Sequence, residues 1–385
     1  MDSSFLHVVQ VGFYVDPRAR EPAQLLEDWP TLVDVAEAAR QGGLRVSVVQ
    51  ACHRAEVLHR NGVSYHFLAG VADTPALIAN LDPDVIHVHG LCFPREVLRL
   101  AAHLPTVPIL LQDHASRPPR WWRRSAWGRC GRAVAGVAFC SRQQAQPFIE
   151  AGVLEPDTAV YEIPESTSRF QPGDAAAARA AARVSGEPLL LWVGHLDPNK
   201  DPLTVLEGVA LAARVLPGLE LWCCFGNTEL LRRMRRRIRS DPLLESRTHL
   251  LGRVSHSRVE QLMRAADAYV SGSHREGSGY ALIEALACGL APVVTNIPSF
   301  RALTGAGAVG QLWQPGDPAS LCSALLAMAR GRGAQTRAAV RAHFERELSH
   351  EALGRKLVAA YEDLLRRSAP PASEPHLMPR RRGAA

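Results

Sequence analysis

The chain has no apolar run approaching the roughly 18–20 residues that span a bilayer, which argues against a membrane-embedded protein. It opens Met1-Asp-Ser-Ser-Phe-Leu-His, without a basic segment leading into an apolar core, so no secretory leader is expected. None of its 8 cysteines forms a C-x-x-C pair. In a chain of 385 residues that scatter reads as buried thiols in a reducing compartment, and a cytoplasmic protein is the expectation. Aromatic residues are scarce at 6%, yet 47% of residues are hydrophobic and 21% charged, a balance that excludes disordered and fibrous classes. At about 150 residues per domain, two domains are expected.

What is there in excess is positive charge, +6 overall. Arginines gather at 117–132, at 232–239 and in the tail from Pro379. Such clusters suit anionic partners such as phosphorylated small molecules or lipid head groups. No nucleic-acid-reading motif accompanies them, so nucleic acid is not an expected partner.

Short β-branched runs alternate with helix-like runs. His7–Tyr14, Arg45–Ala51, Asp84–Val88, Pro108–Gln112 and Val134–Phe139 read as strands, with helices at 31–41, 74–81 and 94–104 between them. After Arg169 the composition shifts, and the rhythm restarts at Leu189–Val193. The pattern predicts an α/β protein of two Rossmann-like, doubly wound parallel-sheet domains facing a cleft. The expected boundaries are 1–171 and 187–349, with a linker or capping helix over 172–186. A C-terminal helix over 350–367 and a disordered basic tail over 368–385 follow. Ligands of open parallel sheets bind beyond the carboxyl ends of the strands, and domain junctions favour pockets.

At one such end lies Ser271-Gly-Ser-His-Arg-Glu276-Gly-Ser-Gly-Tyr-Ala-Leu-Ile-Glu284. A strand, a glycine-rich turn and a helix start follow one another, an arrangement that aims backbone N–H groups at an anion. Glu276 falls in the turn. Glu284 falls up to about 12 Å down the helix, where a carboxylate can accept hydrogen bonds from a diol such as a ribose.

This segment resembles the E-x7-E signature of the GT-B retaining glycosyltransferases, in particular glycosyltransferase family 4. Leu189-Leu-Leu-Trp-Val-Gly-His-Leu-Asp-Pro-Asn-Lys200, His249-Leu-Leu-Gly-Arg253-Val and Thr295-Asn-Ile-Pro resemble the family's other landmarks in the same order. The resemblance implies transfer of a sugar from a nucleotide-sugar donor to a glycan, lipid-linked or small-molecule acceptor. It implies retention of anomeric configuration, with no cofactor and no metal. Glu276 would contact the donor sugar, Lys200 and His195 the diphosphate, and Glu284 the ribose. The loop carrying Arg253 would face the base, and Gly277, Ser278 and Gly279 would offer backbone donors. From the first domain His114 would face the sugar, and Gly12 would let the backbone approach the cleft. Three departures stand out: histidine replaces the family's arginine at 195, the early Gly-Gly loop is absent near Asp16, and Ile163-Pro-Glu165-Ser replaces I-P-N-G. The altered 195 and 165 positions keep open a catalytically silent nucleotide-sugar binder, and the shared fold a nucleotide-sugar hydrolase or epimerase.

Other features read more simply. His87 and His89 share one strand face with no third metal ligand nearby, which favours a structural or acceptor-side role. Gly305–Gly310 matches G-x-G-x-x-G but leads into Gln-Leu-Trp-Gln-Pro315, so it reads as a loop. Asp82-Pro-Asp84 reads as a turn. Helix 229–239 carries an apolar stripe among arginines, a solvated face or an anionic-surface contact. Pro118–Trp127, with three tryptophans among arginines, fits a peripheral membrane contact, a sugar-stacking platform or a packed segment.

Overall fold

A computed structural model describes residues 6–115, 117–331 and 333–368. The amino-terminal residues 1–5, and the basic tail beyond Ser368, lie outside the described residues.

The first sheet contains β1 (His7–Gly12), β2 (Arg45–Cys52), β3 (Glu56–Arg60), β4 (Val63–Ala69), β5 (Val85–His89), β6 (Ile109–Gln112), β7 (Gly136–Phe139) and β8 (Val160–Glu162). Their spatial order is β3-β4-β2-β1-β5-β6-β7-β8, parallel except for the β3–β4 hairpin. That hairpin turns on Asn61 and Gly62, both at positive φ (51° and 78°), the two-residue turn that an Asn-Gly pair favours. Strand β3 has no counterpart in the sequence reading. It lies at the sheet edge with alternating half-buried and exposed residues, and lacks the apolar run that marks the interior strands.

The second sheet contains β9 (Leu189–Gly194), β10 (Glu220–Phe225), β11 (Thr248–Gly252), β12 (Ala268–Ser271), β13 (Ala291–Thr295) and β14 (Gln311–Trp313). Its order is β11-β10-β9-β12-β13-β14, with every pairing parallel. The order reverses between β1 and β5 in the first sheet and between β9 and β12 in the second. Those are the crevices where open α/β sheets take ligands.

Within 172–186, read as the junction, Ala175–Ala182 forms a helix capped by Asp174. Ala178 and Ala182 bury themselves in the second domain's core. Near the carboxyl end the chain changes body. Helix Ala334–Glu347 sets Val340 and Phe344 into the second core, and helix His350–Ser368 sets Leu353, Leu357, Tyr361 and Leu364 into the first. Each leucine so buried contributes about 1.5–3 kcal/mol. The last helix therefore ties the carboxyl end of the second body to the first.

Candidate active site

Strand β12 delivers the chain to the glycine-rich turn at the second sheet's reversal point. Thr295 Oγ1 donates to the Ser273 carbonyl at 2.5 Å, and both residues are fully buried. The His274 N–H donates to the Asn199 carbonyl (2.8 Å), and Asn199 Nδ2 donates to the Arg275 carbonyl (2.9 Å). These bonds lace the turn to the loop after β9 and bring two side chains into register. Lys200 Nζ lies 2.5 Å from Glu276 Oε1, in a position sheltered enough that salt screens the pair weakly. Gly279, at φ +80°, opens helix Tyr280–Ala287 in a conformation that a side chain would strain.

Glu284 sits in that helix with Oε1 2.6 Å from His256 Nε2. The hydrogen bond to this carboxylate raises the His256 pKa above its ordinary 6.5, and the imidazole leans on Phe170 with ring centroids 4.5 Å apart. His195, Lys200, Arg253, Glu276, Gly279 and Glu284 line one cavity of about 340 Å3, walled on its apolar side by Val254, Tyr269 and Phe300.

A second cavity, of about 350 Å3, lies at the reversal point of the first sheet. It takes Gly12 and His114 together with Gln10, Tyr14, Trp29 and His89. The residue that joins the two halves is Glu165. Its Oε2 lies 2.6 Å from His114 Nδ1, its Oε1 accepts from the Ser278 N–H at 2.7 Å, and its own N–H donates to Ser278 Oγ at 2.9 Å. The Ser278 N–H, expected to be free for a ligand, is thus taken by a carboxylate of the opposite domain. A Cβ on Gly277 would sit 2.4 Å from Glu165 Oε1 and 2.9 Å from the Ala115 nitrogen, so only glycine permits this approach. Gln144 adds a second interdomain clasp, donating to the Glu276 and Gly277 carbonyls at 2.9 and 3.1 Å.

Behind His114 the contacts continue inward. His114 Nε2 faces His89 Nδ1 at 3.2 Å, and His89 Nε2 faces Gln10 Oε1 at 3.2 Å. Burial, with His87 and His114 adding like charge, holds the His89 pKa far below its usual value. Two proton arrangements satisfy this row. In one, a doubly protonated His114 donates to both Glu165 and His89. In the other, His89 donates to His114, and the Gln10 amide turns to present its otherwise unpartnered Nε2 to His89. The two differ by one proton on His114. His87 is engaged elsewhere, with Nδ1 2.7 Å from the Tyr361 hydroxyl and its pKa pushed down to about 3 by burial. Among the described residues, no group of three or more His, Cys, Asp or Glu side chains is placed to hold a metal ion.

Residues 175–342 match the family model described as Glycosyl transferases group 1. The matched glycosyl transferases group 1 segment contains every residue lining the second-domain cavity, Glu276 and Glu284 included. The GDP-mannose:cellobiosyl-diphosphopolyprenol alpha-mannosyltransferase of Xanthomonas campestris is 26% identical over 226 residues, 56% of this chain and 57% of that protein. The glycogen synthase of Mycobacterium tuberculosis is 28% identical over 261 residues, 63% of this chain and 59% of that protein. The matches therefore span little more than half the length of these curated relatives. The solved sucrose-phosphate synthase of Thermosynechococcus elongatus superposes with a TM-score of 0.71 at 18% identity, covering 94% of this chain and 99% of that one. The fold is thus that of the GT-B glycosyltransferases, two parallel-sheet bodies about a cleft.

Sequence reasoning treated Glu165 only as a departure from a motif. A carboxylate standing where an asparagine is usual was the available signal. It also left Gln144 unread, because no local pattern marks a side chain whose partners are 132 and 133 residues away. In the arginine-rich helix Leu231–Arg239, Met234 and Ile238 are buried, and Arg237 grips Glu207 through two hydrogen bonds of 2.5 and 2.7 Å. The tryptophans of 118–127 divide. Trp127 is half-buried and stacks on Phe148, whereas Trp121 and Trp122 are 76% and 55% exposed.

Proposed function

We propose that the protein is a family 4, E-x7-E glycosyltransferase that moves a sugar from a nucleotide-sugar donor to a glycan, lipid-linked or small-molecule acceptor with retention of configuration. The observation that carries this reading is the single cavity lined by Lys200, Glu276 and Glu284, with Lys200 paired to the Glu276 carboxylate. A donor's diphosphate leaves with growing negative charge, and Lys200, in the same cavity, supplies a cation to neutralise it. To do so it must exchange Glu276 for phosphate, which frees the Glu276 carboxylate for the sugar. Glu284 accepts hydrogen bonds from the ribose once His256 yields it. His114, steadied by Glu165, approaches the sugar from the first domain. The glycine turn held against Glu165 keeps the cleft narrow, so that bulk water is excluded from the reacting centre. The relative from Xanthomonas, named for GDP-mannose, supports a nucleotide-sugar donor.

The test is a thermal-shift screen with UDP, GDP and ADP, followed by turnover with the sugar conjugates of whichever nucleotide binds. Binding to the native state raises the unfolding midpoint. One nucleotide is expected to do so clearly, and NMR of the product should display the donor's anomeric configuration. The proposal fails if no nucleoside diphosphate shifts the midpoint. Binding with no transfer to any acceptor would instead mark a silent binder, and release of free or epimerised sugar alone a hydrolase or epimerase.

A further inference from the structure

Between Asp113 and Glu150 the chain contains no acidic residue and seven arginines. The middle of this stretch is a short 3-10 turn, Trp121–Arg123, followed by helix Arg124–Ala133. Arg120, Trp121, Trp122, Arg123 and Arg124 are all exposed in succession. The two indoles meet edge to face at 5.7 Å, and the Arg120 guanidinium lies over the Trp122 ring at 5.3 Å. Neither indole is buried against the protein, and Arg120, Arg123 and Arg124 make no ion pair among the described residues. Packing therefore does not account for the pair. Two adjacent large apolar side chains left in water signal a surface with a partner.

The surroundings indicate which partner. An indole has an apolar body and one N–H, which suits the boundary between lipid head groups and acyl chains. Arginines flanking it suit the phosphates of that layer. The patch also lies close to the cleft. Arg117 and Pro118, just before it in the chain, line a cavity of about 550 Å3 together with Arg275 and Glu276 of the second domain.

We infer that Trp121 and Trp122 insert into the interfacial layer of an anionic membrane while Arg120, Arg123 and Arg124 hold its phosphate groups, docking the first domain with its cleft beside the lipid surface. Among the three acceptor classes proposed above, this favours the lipid-linked one. That consequence rests on the transferase reading, whereas the docking does not.

Co-sedimentation of the full chain with vesicles tests it. Phosphatidylcholine vesicles are compared with vesicles containing phosphatidylglycerol, at about 0.1 M salt where charges still act over about 10 Å. Wild type should pellet with the anionic vesicles and remain in solution with the neutral ones. Trp121→Ala/Trp122→Ala should lower partitioning roughly tenfold or more, and Arg120→Gln/Arg123→Gln/Arg124→Gln roughly a hundredfold. All five side chains are exposed, so both variants should keep the wild-type unfolding midpoint and its shift with nucleotide. Failure of wild type to prefer anionic vesicles overturns the inference. So does a tryptophan variant that partitions like wild type while the arginine variant does not, the pattern of a soluble polyanion such as nucleic acid. Loss of the nucleotide shift in wild type would count against the transferase reading and leave the docking result standing.

Discussion

The two bodies build their halves of the cleft in opposite ways. In the second, the candidate site residues sit on one continuous strand–turn–helix, Ser271 to Glu284, with Lys200 brought alongside by two backbone-directed hydrogen bonds. In the first, it is assembled from separate strand ends. Gly12 follows from β1, His89 from β5, His114 from the loop after β6, and Glu165 from the loop after β8. A contiguous motif carries its own geometry, because helix pitch and turn conformation fix the spacing. A convergent site takes its geometry from sheet order, which no short stretch of sequence encodes. The expectation is that the second half supplies the charge chemistry and the first half supplies position.

The largest effect should separate these roles. Glu276→Ala removes a carboxylate from the proposed reacting centre and is expected to lower transfer by about 10²–10³-fold. His114→Ala is expected to cost less. Thermal unfolding of Glu276→Ala should stay close to wild type, since Glu276 lies at the cleft and outside either core, whereas His114→Ala strips the buried Glu165 carboxylate of a partner and should unfold earlier. If His114→Ala proves the more damaging at saturating donor, the division of labour between the two bodies is wrong.

A smaller effect sharpens the same contrast. Glu165→Gln keeps an oxygen for the Ser278 N–H but presents an amide N–H to His114 Nδ1, which must then accept, so the proton moves to Nε2 and the bond to a carboxylate is lost. Losing a charge-assisted hydrogen bond costs roughly 1.5–3 kcal/mol, which corresponds to about a ten- to hundredfold fall in kcat. Because Glu165 acts through His114, the losses from Glu165→Gln and His114→Gln should fail to add in the double variant, as contacting residues do. Additive losses would mean that Glu165 serves only as an interdomain clasp.

The same contrast explains what the sequence disclosed. Both parallel sheets were legible because interior strands buried on both faces are nearly continuous apolar runs, as in Leu189–Val193 and Ala291–Thr295. Lys200 was legible as well, through the likeness of Leu189–Lys200 to a family landmark. Helix Arg124–Ala133 was not, because two glycines and three arginines hide its apolar side. Helix Ala334–Glu347, alternating alanine and arginine, escaped for a similar reason. Strand β14 is three residues long and inherits its place from β13. The bridge from His114 through Glu165 to Ser278 joins residues 51 and 113 positions apart, a distance over which periodicity carries no information. The second site half could therefore be read as one stretch, whereas in the first Gly12 and His114 were named singly and the bridge through Glu165 had to be seen.

The smallest expected effect concerns a residue outside the motif that engages the motif's second carboxylate. His256 holds Glu284, the proposed ribose acceptor, at 2.6 Å, and this bond raises the imidazole's pKa above 6.5 in the folded protein. A group whose folded pKa is raised stabilises fully below its unfolded value, here 6.5, and loses that contribution as pH climbs through the folded value. His256→Ala should therefore be less stable than wild type near pH 6 and indistinguishable from it near pH 9. The imidazole is 64% exposed, so the difference should not exceed about 1 kcal/mol. Urea unfolding at the two pH values measures it. The sign reverses for ligand binding. Protonated His256 competes with the ribose for Glu284, so nucleotide affinity of the wild type should rise with pH toward that of the variant. Parallel affinity profiles for the two proteins would mean that the ribose leaves Glu284 untouched, and the contiguous motif would then lose its second carboxylate.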